Sequence, residues 1–264
     1  MRVGLIGYGE VGKIFAQALI ERGAAWVGTY DILLNDAAKA PTMRAHAEQA
    51  GVTALDSAAA LLDRADAVIS AVTASQTLAV ATEASTSIRS GTWYLDVNSA
   101  SPGTKAAAGR AIDGAGGRYV ESAMMTSVPP YGIGVPMLLG GAHAQAAASL
   151  FAPLGFSMEV ASDEIGVASA IKMCRSVFIK GLEAIVIESY AAARHYGVED
   201  RVLASLAETF PTIDWEKQGA YLFSRVAQHG RRRAEEMREA AVTVREAGLD
   251  PLLAAATAAR QDMV

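Results

Sequence analysis

Two sets of residues in this sequence have types and spacings suited to chemistry. The first is a polar stripe on an otherwise apolar helical segment. At about 100° per residue, Lys172, Ser176 and Glu183 fall within about 40° of one another, with Lys180 a little further round. Ile171, Met173, Cys174, Val177, Phe178, Ile179, Leu182 and Ile185 surround them, so the segment is expected to be a buried helix. A polar stripe on such a helix faces either water or a cleft. A lysine in a dry cleft has its pKa lowered toward neutrality, which suits it to exchange a proton with a substrate hydroxyl. Spacing leaves that choice open, and it leaves Lys180 as a competitor for the same role. Cys174 points about 200° away from Lys172 and reads as core.

The second set is Gly7-Tyr8-Gly9-Glu10-Val11-Gly12. In a dinucleotide site Gly7 makes the tight turn, Gly9 lets a pyrophosphate approach bare backbone, and Gly12 lets a helix pack on the preceding strand. The first N–H groups of that helix, from Glu10 and Val11 onward, would face the phosphates with the positive end of the helix dipole. The apolar run Val3 to Ile6 supplies the strand before the glycines. A second strand, Ala25 to Tyr30, ends in Asp31, where a carboxylate would hold the ribose hydroxyls.

These residues need a scaffold, and the rest of the chain supplies its signals. Asp66 to Val72, Trp93 to Asn98, Arg118 to Ala123, Pro136 to Leu139 and Phe156 to Ala161 read as further strands. Helical stretches lie between them: an alanine-rich one through Glu48, one after Thr73 running to about Arg89, and one started by Ser101-Pro102. Strands alternating with helices imply a doubly wound parallel α/β sheet. Ligands in such sheets sit beyond the carboxyl ends of the strands, which brings Val72 and Asn98 to the cofactor edge. Asn98 is open to two readings, a site residue or a strand-end turn. Beyond Asp163 the period turns helical: Ile165 to His195, Glu199 to Phe210, and Ile213 to about Ala247, before Gly248 and Pro251 close the pattern. The expected organisation is a Rossmann-like dinucleotide-binding domain over 1–163 and an all-helical substrate and dimerisation domain over 164–264, which would wall the cleft.

Composition narrows the function class. A chain of 264 residues that is 52% hydrophobic and 19% charged can bury real cores and is not disordered. A net charge of −5 gives no footprint for nucleic acid or an anionic membrane. No uninterrupted apolar run is long enough to span a bilayer, and the chain opens on a strand instead of a signal peptide. The single cysteine excludes an internal disulfide and a cysteine-based metal site. The expectation is a cytoplasmic protein.

Three stretches together resemble the β-hydroxyacid dehydrogenase and 6-phosphogluconate dehydrogenase superfamily: the Gly7–Gly12 loop, Asp96-Val97-Asn98-Ser99-Ala100-Ser101-Pro102, and Gly166-Val167-Ala168-Ser169-Ala170-Ile171-Lys172. The resemblance covers the whole chain in order. It implies an NAD(P)-dependent dehydrogenase in which Lys172 is the general acid/base, Lys180 is structural or supporting, and Asn98 lies between nicotinamide and substrate. It also departs from the pattern. Met125-Thr126-Ser127 stands where the family usually has a Ser-Gly-Gly loop for the substrate carboxylate, and Ser176 stands where it has asparagine. The segment around Val128-Pro129-Pro130 and His229 to Met237 resembles a less characterised branch with its own C-terminal helices. Thr126 and Ser127 retain hydroxyl donors for a carboxylate. His229 and Arg233, at i and i+4, could reach an anionic substrate or form a solvated face.

The resulting expectation is an NAD-dependent oxidoreductase for a small hydroxy acid or a phosphorylated relative, working as a homodimer. NADP is disfavoured, because Asp31 would repel a 2′-phosphate and Ile32-Leu33-Leu34 offer no arginine for it. The alternatives are an imine reductase, against which Lys172 counts, and a nucleotide-sensing protein without catalysis.

Overall fold

The computed structural model describes residues 1–263, excluding the side chains of residues 229 and 231. Its first part is one eight-stranded sheet in the order β3-β2-β1-β4-β5-β6-β7-β8. The strands are β1 (Arg2–Ile6), β2 (Trp26–Tyr30), β3 (Thr53–Ala54), β4 (Ala67–Ser70), β5 (Trp93–Asp96), β6 (Arg118–Met124), β7 (Pro136–Gly140) and β8 (Ser157–Ser162). Helices α1 (Glu10–Glu21), α2 (Ala40–Gln49), α3 (Ala58–Leu62), α4 (Thr77–Ser85), α5 (Pro102–Gly114) and α6 (Ala144–Phe151) connect them. The order 3-2-1-4-5-6 is that of a doubly wound dinucleotide-binding sheet.

Alternate strand residues feed two cores, one on each face of the sheet. Leu5, Ile69 and Leu95 pack with Phe15 and Leu19 of α1, while Ile6, Val68 and Tyr94 pack with Leu61, Ala108 and Ile112. Burial on both faces is why the central strands read as unbroken apolar runs.

Neighbouring strands are parallel except β6 and β7, which are antiparallel. The expectation of a parallel sheet is corrected there. Parallel neighbours need a long crossover. Between Met124 and Pro136 the chain instead returns through a loop with one short 3-10 turn, Gly132–Gly134. The sequence reading also missed the two-residue β3 and the short helices α3 and α6.

The remaining elements are helical: α7 (Val167–His195), α8 (Glu199–Thr209), α9 (Trp215–Glu246) and α10 (Leu252–Asp262). The last was not expected. Gly248 and Pro251 read as terminators, yet Pro251 is the N-cap of α10. The chain forms two compact units, Met1–Lys172 and Met173 to the C-terminus, so the first turns of α7 belong to the sheet unit. Within the second unit, Met173 packs with Met237, Ala240 and Ala254, and Val186 and Tyr190 pack with Trp215 and Leu222.

Burial of α7 is one-sided. Ile171, Phe178 and Ile185 are 43%, 71% and 61% exposed, and Cys174, read from the sequence as core, is exposed too. An all-round apolar composition therefore overstated how much of the helix its own chain covers. Among the described residues no helix is long and apolar enough to cross a membrane.

Candidate functional site

The glycine loop joins β1 to α1, and its three glycines are required for different reasons. Gly7 has φ of 98°, and a Cβ there would lie 2.3 Å from the Ala71 carbonyl oxygen. A Cβ on Gly12 would lie 2.2 Å from the Gly7 carbonyl oxygen. Both are demanded by the fold itself. Gly9 is different: a Cβ there would meet nothing within 4 Å. Its missing side chain leaves open backbone at the start of α1, whose N-cap is Gly9 and whose N-terminus no side chain caps. That opening suits a phosphate group better than it suits any internal packing need. Glu10 is exposed and Val11 half-buried on the first turn.

Asp31, directly after β2, ties this loop to the neighbouring strand. Its carboxylate accepts from the Tyr8 backbone N–H at 2.7 Å and from the Leu33 N–H at 2.9 Å. Each oxygen takes one of these bonds and keeps further lone pairs for a ribose hydroxyl. Tyr8 was expected among the cofactor ligands. Its side chain is instead fully buried, with the hydroxyl 3.2 Å from Nδ1 of His46, so only its backbone borders the loop.

At the carboxyl ends of β4 and β5, Asn98 acts as a strap. Its Oδ1 accepts from the Val72 N–H at 2.7 Å and its Nδ2 donates to Ser70 Oγ at 3.0 Å. The assignment of Asn98 to catalysis is thus narrowed: both ends of its amide hold the strand ends together, as does the Val72 N–H. Beneath it, buried Asp96 accepts from the Asn98 N–H, pairs with buried Lys105 at 2.9 Å, and accepts from the Tyr119 hydroxyl at 2.8 Å. Burial and the adjacent Asp96 charge push the Tyr119 phenol well above its ordinary value.

Lys172 reaches this edge. Its Nζ donates to Ser99 Oγ at 2.5 Å, immediately after Asn98. Both residues are half-buried. The turn of α7 that carries Lys172 begins on Glu121 of β6, which is fully buried. Glu121 accepts from the N–H groups of Gly166 at 2.6 Å and Ser169 at 2.7 Å, and from the Ser169 hydroxyl. Ser99, Lys105, Glu121 and Ser169 were not singled out from the sequence. Glu121 had a signal: a lone carboxylate inside an apolar strand must find partners when buried.

The other expected residues are placed differently. Met125 and Ser127 are half-buried and Thr126 exposed in the loop that leaves the carboxyl end of β6, on the same edge as Asn98. Ser176 is half-buried one turn beyond Lys172. Arg233, expected to bind substrate, is buried and donates its Nε at 3.0 Å and its Nη2 to the carboxylate of Glu183. Gln261 donates to the same carboxylate at 3.3 Å. That assignment is corrected: the guanidinium is committed to an internal carboxylate. Lys180 is likewise paired with Glu236, and burial lowers its pKa. Glu183 and Lys180 therefore hold α7 to α9, and the polar stripe divides into Lys172 at the sheet and two internal ion pairs. The side chain of His229 lies outside the described residues.

Fold and loop define a dinucleotide-binding unit of the NAD(P)-dependent oxidoreductase type. Residues 2–99 match the family model described as NADP oxidoreductase, coenzyme F420-dependent, and residues 193–264 match a domain of unknown function, DUF1932. A conserved hypothetical protein from Sinorhizobium meliloti 1021 is 39% identical, covering 99% of this chain and 87% of that one, with a TM-score of 0.82. The conserved protein MTH1747, of unknown function and described as structurally similar to 3-hydroxyacid dehydrogenases, is 32% identical over 100% of this chain and 96% of its own, with a TM-score of 0.78. A 3-hydroxyisobutyrate dehydrogenase from Mycobacterium tuberculosis, solved with L-serine, shares the fold at 16% identity and a TM-score of 0.77, covering 100% of this chain and 94% of that one. The chain belongs to the family of the first two proteins, a branch of the β-hydroxyacid dehydrogenase superfamily with its own C-terminal helical domain.

Proposed function

We propose that the protein is an NAD-preferring dehydrogenase for a small anionic hydroxy acid, with Lys172 as its general acid/base. The observation that carries this reading is the Lys172 ammonium on the Ser99 hydroxyl, directly after Asn98. That contact lies at the carboxyl edge of the sheet that also carries the Gly7–Gly12 loop, which supports proton exchange by this amine. When bound, NAD supplies the hydride acceptor. Gly9 would leave room for its pyrophosphate at the start of α1, and Asp31 would hold its ribose. Lys172 in its neutral form takes the hydroxyl proton of the substrate in oxidation and returns it in reduction. Ser99 gives the amine a fixed partner, and Asn98 keeps the ends of β4 and β5 at one spacing beneath it. Thr126 and Ser127 offer hydroxyls for the substrate carboxylate.

The preference for NAD rests on Asp31, whose charge opposes a 2′-phosphate, and on the apolar Ile32 and Leu33 that follow it. The hydroxy-acid class rests on the 3-hydroxyacid dehydrogenase likeness reported for MTH1747.

The test is a panel of small hydroxy acids followed by NADH absorbance, beside calorimetric titration with NAD and NADP. Lys172→Met is expected to keep NAD affinity and lose turnover by about 10²–10⁴, the worth of a positioned general acid or base. A protein that binds dinucleotide and turns over none of the panel, or one unaffected by Lys172→Met, overturns the assignment and favours a sensor.

A further inference from the structure

Glu121 is a buried carboxylate that the proposed chemistry does not use. Asp96, its register partner on β5, is matched by Lys105, but Glu121 has no cation among its described partners. What it accepts from is the start of α7: the N–H groups of Gly166 and Ser169 and the Ser169 hydroxyl. A 29-residue helix carries a partial positive charge at that end, and a carboxylate bonded to its first N–H groups is stabilised by charge-assisted hydrogen bonds. The surroundings make room for it. A Cβ on Gly140 of β7 would lie 2.4 Å from Glu121 Oε2, so that glycine is the space in which the carboxylate sits. Lys172 follows Ser169 by three residues, about one turn, so the turn pinned by Glu121 is the turn that presents the amine to Ser99.

We infer that Glu121 is a positioning residue for Lys172: its negative charge fixes the first turn of α7 and so holds the lysine amine on Ser99. This deepens the reading of Lys172 as the proton-transfer group and rests on it, but the placement can be tested without turnover. The charge matters as well as the shape. Glutamine at this position would fill the same volume, yet it offers one acceptor and turns an N–H donor toward the helix N–H groups.

The experiment measures the acylation rate of each lysine by peptide mass spectrometry against pH, using an amine-reactive reagent on the full chain. Exposed Lys39 and Lys217 serve as internal references. In Glu121→Gln the rate at Lys172 is expected to rise about tenfold, the equilibrium worth of one charge-assisted hydrogen bond, while the references stay put. Glu121→Asp, which restores the charge, should return part of the way. If a substrate has been found, kcat falls and the KM for NAD does not. Should Glu121→Gln fail to fold, Ser169→Ala, which removes one of the three bonds, and Glu121→Asp decide between the outcomes. Wild-type Lys172 labelling in every folded variant overturns the inference. Absence of turnover in the wild type sinks the dehydrogenase reading alone, because the labelling still reports where the amine is held.

Discussion

Arg233→Met gives the sharpest test of how the helical unit uses its charges. Arg233 and Glu183 are 7% and 2% exposed, and the guanidinium donates two hydrogen bonds to the carboxylate. Among the described residues, removing the arginine leaves Glu183 with the hydrogen bond from Gln261 at 3.3 Å and the nearby charge of Lys180, itself paired with Glu236. Breaking a buried pair from one side costs about 3–5 kcal/mol, because the remaining charge is stranded out of water. At about 2–4 °C per kcal/mol for a chain of this size class, the midpoint should fall on the order of 10 °C. Replacing both partners, Arg233→Met with Glu183→Leu, removes the stranded charge. Most of the loss should then return, leaving about 1–3 kcal/mol for the unpaired Gln261 amide. Thermal unfolding followed by circular dichroism across the wild type, the two single variants and the double variant gives the coupling directly. The reasoning is refuted if Arg233→Met costs less than about 1 kcal/mol, as an exposed pair would, or if the double variant is no more stable than the single. A substrate-binding arginine would behave in the opposite way, with an unchanged midpoint and a raised KM.

Three further outcomes are expected. Asp31→Ser should narrow the ratio of NAD to NADP affinity by about tenfold, the worth of one charge-assisted bond, and equal affinities in the unmodified protein would remove the argument from Asp31. Ile171, Phe178 and Ile185 recur every seven residues on α7, and we expect them to be covered by a second copy of the chain. Light scattering should report a homodimer that Phe178→Asp dissociates, and a monomer at micromolar concentration ends the idea. Tyr119 has its pKa raised by burial and by Asp96, so the stability it contributes is fully present below the unfolded value of about 10 and is lost as pH climbs toward the raised one. Tyr119→Phe should flatten the alkaline fall in urea midpoints, and an unchanged slope would show that another group sets it.

Where the sequence could be read, a single residue run carried enough information by itself. Val3 to Ile6 is apolar throughout because both faces of its strand are covered, and Gly7 and Gly12 are glycines because carbonyl oxygens occupy the space of their side chains. The direction of β7 was not legible, since it depends on the path of the loop after Met124 and not on the strand's own residues. Pro251 and Gly248 marked a real helix end, but nothing local says that another helix starts on the proline. Arg233 misled for a related reason. An arginine on a helix surface pattern looks available until a carboxylate fifty positions away, Glu183, is placed against it. Glu121 and Lys105 are lone charges within short segments, and their partners Gly166, Ser169 and Asp96 come from other elements.

The placement of Gly7 has a consequence for how the molecule is made. Its backbone N–H donates to the Tyr30 carbonyl, and its α-carbon lies against the backbone of Ala71. The glycine loop is synthesised before the walls that give it shape, which arrive with the ends of β2 and β4. Loop closure over that separation must precede any productive loop geometry. A nascent chain stopped before Ala71 thus carries the complete glycine motif without the surface that shapes it. The motif precedes its walls in the chain and acquires its shape only after them, so a fragment containing it is not a miniature of the domain.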